Sequence, residues 1–318
     1  MTNCLFCGSA NSKTAFELED IFKDRYQWRV CQNCRTEFLS PQPTDQQLSN
    51  AYDTSYYGEG EKKFIPLVEA VVDFFRRRNA KALAAQFGHE GRVLDIGCGN
   101  GNLLHYLGKE GAFELHGIEP EGKSAERAAA HREINLHKGY LEKGRFQENH
   151  FDAISLVHVF EHLPNPKEAL EIIDDILKPG GQLLIEIPNI SSWQAKIFKS
   201  NWLHLDPPRH LQLTPPELLI KELEKQGYKL INESYFSPQF NPFGVQQSIL
   251  NWLLPDREVL YEALKGNNGY VKNYSSFSLL VQKAFHWGSF PLFVLSDILA
   301  SLWKSGGTAK MLFQKLNN

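Results

Sequence analysis

The chain has 318 residues, 42% of them hydrophobic, and its 34 basic and 37 acidic side chains leave a net charge of −3. That length exceeds one ordinary domain, and the apolar share excludes disordered and fibrous classes. The near balance of charge removes the broad basic footprint of a duplex-binding protein, and the opening MTNCLFCGSA has no basic-then-apolar leader. A cytoplasmic chain with five reduced cysteines is the expectation.

In chain order, the first feature is a double pair, Cys4-x-x-Cys7 and Cys31-x-x-Cys34, with 23 residues between the pairs. Two residues between thiols let one tight turn aim both sulfurs at a point, and two such turns complete a tetrahedral shell. YQWRV (26–30) predicts a strand into the second turn, and EFLSPQP a strand out of it. Both pairs precede any βαβ unit, which argues against a redox CxxC. The arrangement resembles a zinc ribbon. It implies a structural Zn²⁺ on Cys4, Cys7, Cys31 and Cys34, with no open position for catalysis. The expected organisation is a ribbon at 1–45, a linker at 46–63 and one large domain at 64–318. Tyr52, Tyr56 and Tyr57 make the linker aromatic: they either pack between units or cap a ligand.

From residue 64 onward, apolar runs alternate with helical patterns. A helix over 66–87 leads, then strands over 92–96, 113–118, 134–138, 151–157 and 182–187, with helices over 102–108, 122–131 and 166–177 between them. Asn165 is the expected cap of the last helix, with Pro166 at its first position and Glu168 three residues after the cap. This alternation means a parallel sheet that binds ligands at the C-terminal ends of its strands.

The first strand runs into VLDIGCGNG, so Asp95, Gly97, Cys98, Gly99 and Gly101 form a glycine-rich strand-to-helix turn. Such a turn suits either a dinucleotide or S-adenosylmethionine (SAM). The dinucleotide spacing G-x-G-x-x-G fails at Asn102, and a diphosphate disfavours a carboxylate two residues before the first glycine. SAM has an ammonium and a sulfonium that Asp95 can stabilise. Twenty-four residues after Asp95, Glu119 ends the second strand, where an acid can accept both ribose hydroxyls.

VLDIGCGNG, GIEP, FDAISLVHVFEHLPNP and ILKPGGQLLIEIPN resemble successive motifs of class I SAM-dependent methyltransferases, over roughly 91–189. The resemblance implies a Rossmann-like α/β fold with a seven-stranded sheet whose last strand is antiparallel. Runs 229–234 and 309–314 fit its sixth and seventh strands. It further implies that Asp95, Gly97, Cys98, Gly99 and Gly101 line the methionine part of SAM, with Glu119 and Pro120 at the ribose. Tyr140 and Leu141 fall beside the adenine, an aromatic replacing the commoner acid. Cys98 reads as a small loop residue, not a reactive thiol.

For the acceptor, His158-Val159-Phe160-Glu161-His162 follows the fourth strand. Similar turns in ubiquinone-biosynthesis O-methyltransferases support a divalent metal through Glu-x-x-Glu-His. Here His158 takes the place of the first Glu, which a hard cation disfavours. Either His158 acts in the site, or Glu161 and His162 brace the turn. NWLHLDPPRHLQLTPPELL follows the fifth strand and leads to a helix from about Pro215. Within it, His210 can take a hydroxyl proton and Arg209 can hold a phosphate or carboxylate; the alternative is a loop packed by Trp202 and prolines. Zinc-ribbon methyltransferases of bacterial surface-polysaccharide pathways show a similar Pro-Arg-His-Leu stretch, which implies a sugar, glycolipid or polysaccharide-intermediate acceptor.

A helical insertion is expected over 240–307. Its apolar stretch 284–303 either covers the pocket or lies on a membrane surface, a peripheral contact at the inner face. Two other function classes stay open. One is an RNA methyltransferase using the zinc ribbon on its substrate, although the charge makes nucleic acid a poor fit. The other is a module that binds SAM without transferring its methyl.

Overall fold

The computed structural model describes residues 2–52 and 66–317, and side chains over 2–52 and 73–317. Tyr56 and Tyr57 of the expected linker lie outside the described residues. The chain forms two compact units: the described parts of Met1–Glu69, Pro188–Leu218 and Ser234–Ala309, and those of Ala70–Ile187, Leu219–Glu233 and Lys310–Asn318.

The first unit opens with three antiparallel strands, β1 (Ser12–Glu19), β2 (Arg25–Cys31) and β3 (Glu37–Ser40). A two-residue strand β9 (Gln212–Leu213) adds to β3 antiparallel. The strands at 26–30 and after Cys34 agree with expectation. β1 and β9 have no counterpart in the sequence reading. Short helix α1 (Asp45–Ala51) starts with a reciprocal capping box between Thr44 and Gln47. Four further helices, α8 (Asn241–Leu253), α9 (Val259–Lys265), α10 (Asn268–Val271) and α11 (Ser276–Ser301), fill most of the expected helical insertion. Trp28 and Leu39 of the small sheet share one buried core with Trp202, Leu205, Leu213 and Val245. The Pro-rich stretch after residue 188 therefore packs where apolar area from the cysteine-bearing strands needs cover.

The second unit is the expected sheet. Its seven strands are β4 (Glu90–Ile96), β5 (Ala112–Glu119), β6 (Ile134–Lys138), β7 (Phe151–Val157), β8 (Leu177–Pro188), β10 (Tyr228–Ser234) and β11 (Thr308–Lys315). They lie in the order β10-β11-β8-β7-β4-β5-β6. The sheet is mixed: β4, β5, β6, β7 and β8 pair parallel, and its last strands are antiparallel. Helices α2 (Pro66–Phe87), α3 (Asn102–Leu107), α4 (Lys123–Ala129), α5 (Pro166–Ile176) and α7 (Pro216–Lys225) connect or flank the strands, whereas the short helix α6 (Trp193–Phe198) belongs to the first unit, where Ala195 and Phe198 join its core. Val93, Leu115, Ala153, Leu184 and Leu312 meet Leu83, Leu104 and Ala128 in the core of the second unit.

Asn165 holds the N-cap position of α5, as expected. Pro166 does open α5, but Asn165 makes no side-chain cap bond, because its backbone (φ −125°, ψ 71°) is off the extended geometry that aims a cap at the first turn.

Candidate functional site

Parallel register sets Asp95, near the end of β4, between Gly117 of β5 and Ser155 of β7. The carboxylate is 4% exposed, and its Oδ1 accepts a 2.6 Å hydrogen bond from Ser155 Oγ. The chain then folds back over the strand ends: Cys98 N–H donates to Ile118 O at 2.9 Å, and Gly99 N–H donates to Glu119 Oε2 at 2.9 Å. Gly97 (φ +68°) and Gly99 (φ +57°) take the left-handed backbone that this reversal needs. They differ in surroundings. A Cβ on Gly97 would lie 2.4 Å from Val159 Cγ2, whereas one on Gly99 would meet nothing within 4 Å. Gly97 lets the turn pack on Val159, two residues past β7, and Gly99 leaves open space above the acids.

Gly97→Ala is therefore expected to destabilise the chain by roughly 2–4 kcal/mol, combining left-handed strain with overpacking. Val159→Ala in the same chain should restore the overpacking part alone. Denaturant midpoints of the single and double variants check this; a loss that Val159→Ala leaves untouched would refute the clash.

Asp95 and Glu119 are both buried, and their electrostatics point to a ligand. Burial pushes the Asp95 carboxyl up to about 7, with the like charge of Glu119 adding to it despite the Ser155 bond. Burial also raises Glu119, against hydrogen bonds from Gly99 and Ser124. Two buried acids, each raised by burial, suit a cationic guest, and the ammonium and sulfonium of SAM meet that need. The remaining expected contacts share this edge. Pro120 follows Glu119 and is half-buried, and Gly139 N–H donates to Glu119 O at 2.9 Å. This bond holds the turn that carries Tyr140, 70% exposed, and half-buried Leu141. Burial raises the Cys98 thiol, consistent with a packing residue.

Beyond β7, His158 has a left-handed backbone (φ +55°), and its N–H donates to Glu186 O at 2.9 Å. Its Nδ1 lies 3.3 Å from Glu161 Oε1, and its Nε2 lies 3.7 Å from Glu186 Oε1. Burial opposes a charge here, but the two carboxylates outweigh it and lift His158 to about 10. At neutral pH His158 is an imidazolium braced between two acids. Glu186 and Ser155 escaped the sequence reading. The signal for Glu186 was a lone acid inside the apolar run LLIEIP; for Ser155 it was a lone hydroxyl in FDAISLV.

The family described as a methyltransferase domain matches residues 71–233, just over half of the 318-residue chain. The chain belongs to that family. Among curated relatives, the ubiquinone biosynthesis O-methyltransferase of Shewanella sp. is 29% identical over 120 residues, 35% of this chain and 50% of that protein. The namesake from Idiomarina loihiensis is 26% identical over 161 residues, 46% and 66% of the respective chains. The matched region thus spans between half and two thirds of those relatives. Among solved structures, the 4+2 cyclase SpnF superposes with a TM-score of 0.51 at 17% identity, covering 76% of this chain and 81% of the other. That likeness concerns fold alone.

The first unit of this methyltransferase-family chain contains the four paired cysteines, whose sulfurs all lie within 4.8 Å of one another. Cys4 to Cys34 and Cys7 to Cys31 are each 3.5 Å, close to the about 3.8 Å edge of a tetrahedron with Zn–S bonds of about 2.3 Å. The two turns repeat one motif: Gly8 N–H donates to Cys4 O and Arg35 N–H to Cys31 O, with both donors left-handed. A hydrogen bond from Cys4, with Thr36 assisting against burial, pulls Cys34 down to about 4 while Cys4 is driven up. Four convergent sulfurs in two matched turns fit a tetrahedral soft-metal site.

The first unit also carries Arg209 and His210, 4% and 7% exposed. The Arg209 fork is engaged by Asp206, with Nε to Oδ2 at 3.0 Å and a second bond from Nη2 to Oδ1, while Nη1 donates to Ala51 O at 3.2 Å. His210 Nδ1 lies 2.8 Å from His204 O. A carbonyl only accepts, so Nδ1 bears the proton and Nε2 is the basic nitrogen. Trp202, 0% exposed, anchors the start of this loop.

Proposed function

We propose that this chain transfers the methyl group of SAM to an oxygen of a small acceptor. The buried Asp95–Glu119 pair, with open space above Gly99, is the observation that carries the reading. Bound SAM supplies a methyl on a sulfonium that leaves as a neutral thioether. Asp95 holds the ammonium end, Glu119 accepts the ribose hydroxyls with Pro120 beside it, and Tyr140 and Leu141 flank the adenine. Transfer then depends mainly on alignment. Ser155 fixes the Asp95 rotamer. His158, kept protonated by Glu161 and Glu186, serves as a fixed positive brace and not as a base.

For the acceptor, His210 takes the hydroxyl proton through Nε2, because Nδ1 is engaged by His204 O. Arg209 holds Asp206 and so acts as a positioning residue. The Pro-Arg-His-Leu resemblance favours a sugar or glycolipid hydroxyl. A second reading, a phenolic quinone precursor, rests on the likeness to ubiquinone biosynthesis O-methyltransferases. The four cysteines are proposed to hold one structural Zn²⁺.

The deciding assay follows S-adenosylhomocysteine release from labelled SAM with sugar, lipid, phenol and RNA fractions of cell extract. Turnover is expected with sugar or lipid, and His210→Ala is expected to lower it at least ~100-fold with SAM affinity unchanged. Turnover on phenols selects the second reading. Turnover on RNA alone, or SAM binding without any turnover, would reject the proposal.

A further inference from the structure

Helix α11 packs Phe285 and Phe293 inward, yet its outward face is apolar as well. Phe277, Leu280, Trp287, Leu292, Leu295 and Leu299 fall on one stripe and are 44–74% exposed. Its polar side chains face inward instead: Gln282, His286 and Asp297 are 4%, 6% and 1% exposed. They are tied to the neighbouring helix and the turn before it. His286 Nδ1 lies 2.7 Å from Gln246 Oε1, and Asn241 Nδ2 donates to Asp297 Oδ1 at 2.7 Å. Ser237 N–H donates to Asp297 Oδ2 at 3.0 Å. A helix covering a pocket would turn its leucines inward, and a helix facing water would turn its polar side outward. Neither describes α11, so its outer surroundings are apolar. The pairing of 241 with 297 and of 246 with 286 is antiparallel. It sets the end of α8, with Trp252 and Leu253 at 67% and 72% exposed, alongside the first turns of α11 and lengthens the patch.

We infer that α11 seats the chain on a lipid bilayer with anionic headgroups, lying along the surface. Charge selects this occupant. Between residues 272 and 304 the charged side chains are Lys272, Lys283, Lys304 and the buried Asp297, and Asp256, the acid nearest the end of α8, is paired with Lys23, so the charge bordering the patch is predominantly cationic. Phosphate headgroups complement that border, whereas a second copy would set lysine rim against lysine rim. Trp287 and Trp303, 44% and 73% exposed, are the side chains that settle at the headgroup boundary. No helix among the described residues is long and apolar enough to cross a membrane, so the helix, about 39 Å long at about 1.5 Å per residue, lies flat. The inference does not depend on the acceptor.

The test is sedimentation of the full chain with phosphatidylcholine vesicles, with and without phosphatidylglycerol, read together with tryptophan emission. Binding with a blue shift, stronger on the anionic vesicles, is expected. Leu295→Glu with Leu299→Glu should weaken it at least ~10-fold, while the melting temperature stays put because both side chains are already exposed. Equal binding by wild type and variant would overturn the inference. So would failure to bind either vesicle, and a dimer in ultracentrifugation that the variant splits would then assign the face to a second copy.

Discussion

Asp95→Asn is expected to weaken SAM binding roughly 100-fold and, at the same time, to raise the melting temperature of the ligand-free chain. The two effects have one cause. The Asp95 carboxyl is fully buried and lifted to about 7 by burial first and by Glu119 second, whereas in the unfolded chain it titrates near its ordinary 3.8. A raised acid favours the folded state only while protonated. The ligand-free chain thus loses stability as pH climbs from about 4 to about 7, and above that bears the full penalty, on the order of 4 kcal/mol for three units. Asparagine keeps an oxygen for the 2.6 Å bond from Ser155 and removes the charge. A gain of several degrees above pH 7, shrinking toward pH 4, is the expected melting profile. Without the carboxylate the SAM ammonium loses a charge-assisted partner in a dry site, about 2–3 kcal/mol or roughly 100-fold in Kd. In the wild type, affinity should fall up to ~10-fold per unit as pH drops below about 7, because Asp95 must ionise to bind. Glu119, also raised by burial, steepens that decline. Calorimetry and thermal melts across pH check both halves. A variant that binds SAM like the wild type, or melts lower at pH 8, would sink the assignment.

The same residues show why part of the molecule was legible in sequence. Interior parallel strands are buried on both faces, so RVLDI, FDAISLV and QLLIEI stand out as apolar runs between turn signals, and they recur as β4, β7 and β8. The turn was legible because left-handed positions and an acid at a strand end leave few residue choices. β1 was not, since SKTAFELE is an edge strand with burial on few of its residues, and its polar side chains look like loop. β9 is two residues long and exists only because Phe38 and Glu37 of β3 offer it a partner. The core that joins Trp28 to Trp202 and Val245 is a contact across more than 170 residues, and local patterning carries no trace of it. His158 was legible as a candidate, but its protonation was not, because Glu186 reaches it from another strand. The polarity of α11 was ambiguous for the opposite reason. Leucine spacing marks a stripe but does not say which way the stripe faces, and only the inward bonds of His286 and Asp297 decide it.

Removing zinc is the second large effect, and it should strike the first unit alone. The chain is expected to purify with one zinc per monomer, and a strong chelator should melt β1, β2 and β3. Cys31 ends β2, and Cys34 lies three residues before β3, so the metal clamps the two strands whose Trp28 and Leu39 enter the core with Trp202 and Leu213. A sheet of 8, 7 and 4 residues has little area of its own to bury, and a structural zinc supplies about 10–16 kcal/mol at neutral pH. Trp28 and Trp202 are both 0% exposed, so their emission should shift to the red as the metal leaves. Cys31→Ser should give the same spectrum without chelator. Acid should mimic it too, because every sulfur must lose its proton to bind. SAM binding should persist throughout, since the sheet that bears Asp95 and Glu119 has its own core of Val93, Leu115, Ala153 and Leu184. Metal analysis, emission spectra and SAM titration on one chelated sample separate the possibilities. A chain without zinc whose tryptophans stay buried would remove the metal from the account, and loss of SAM binding together with the red shift would show that the two cores melt as one.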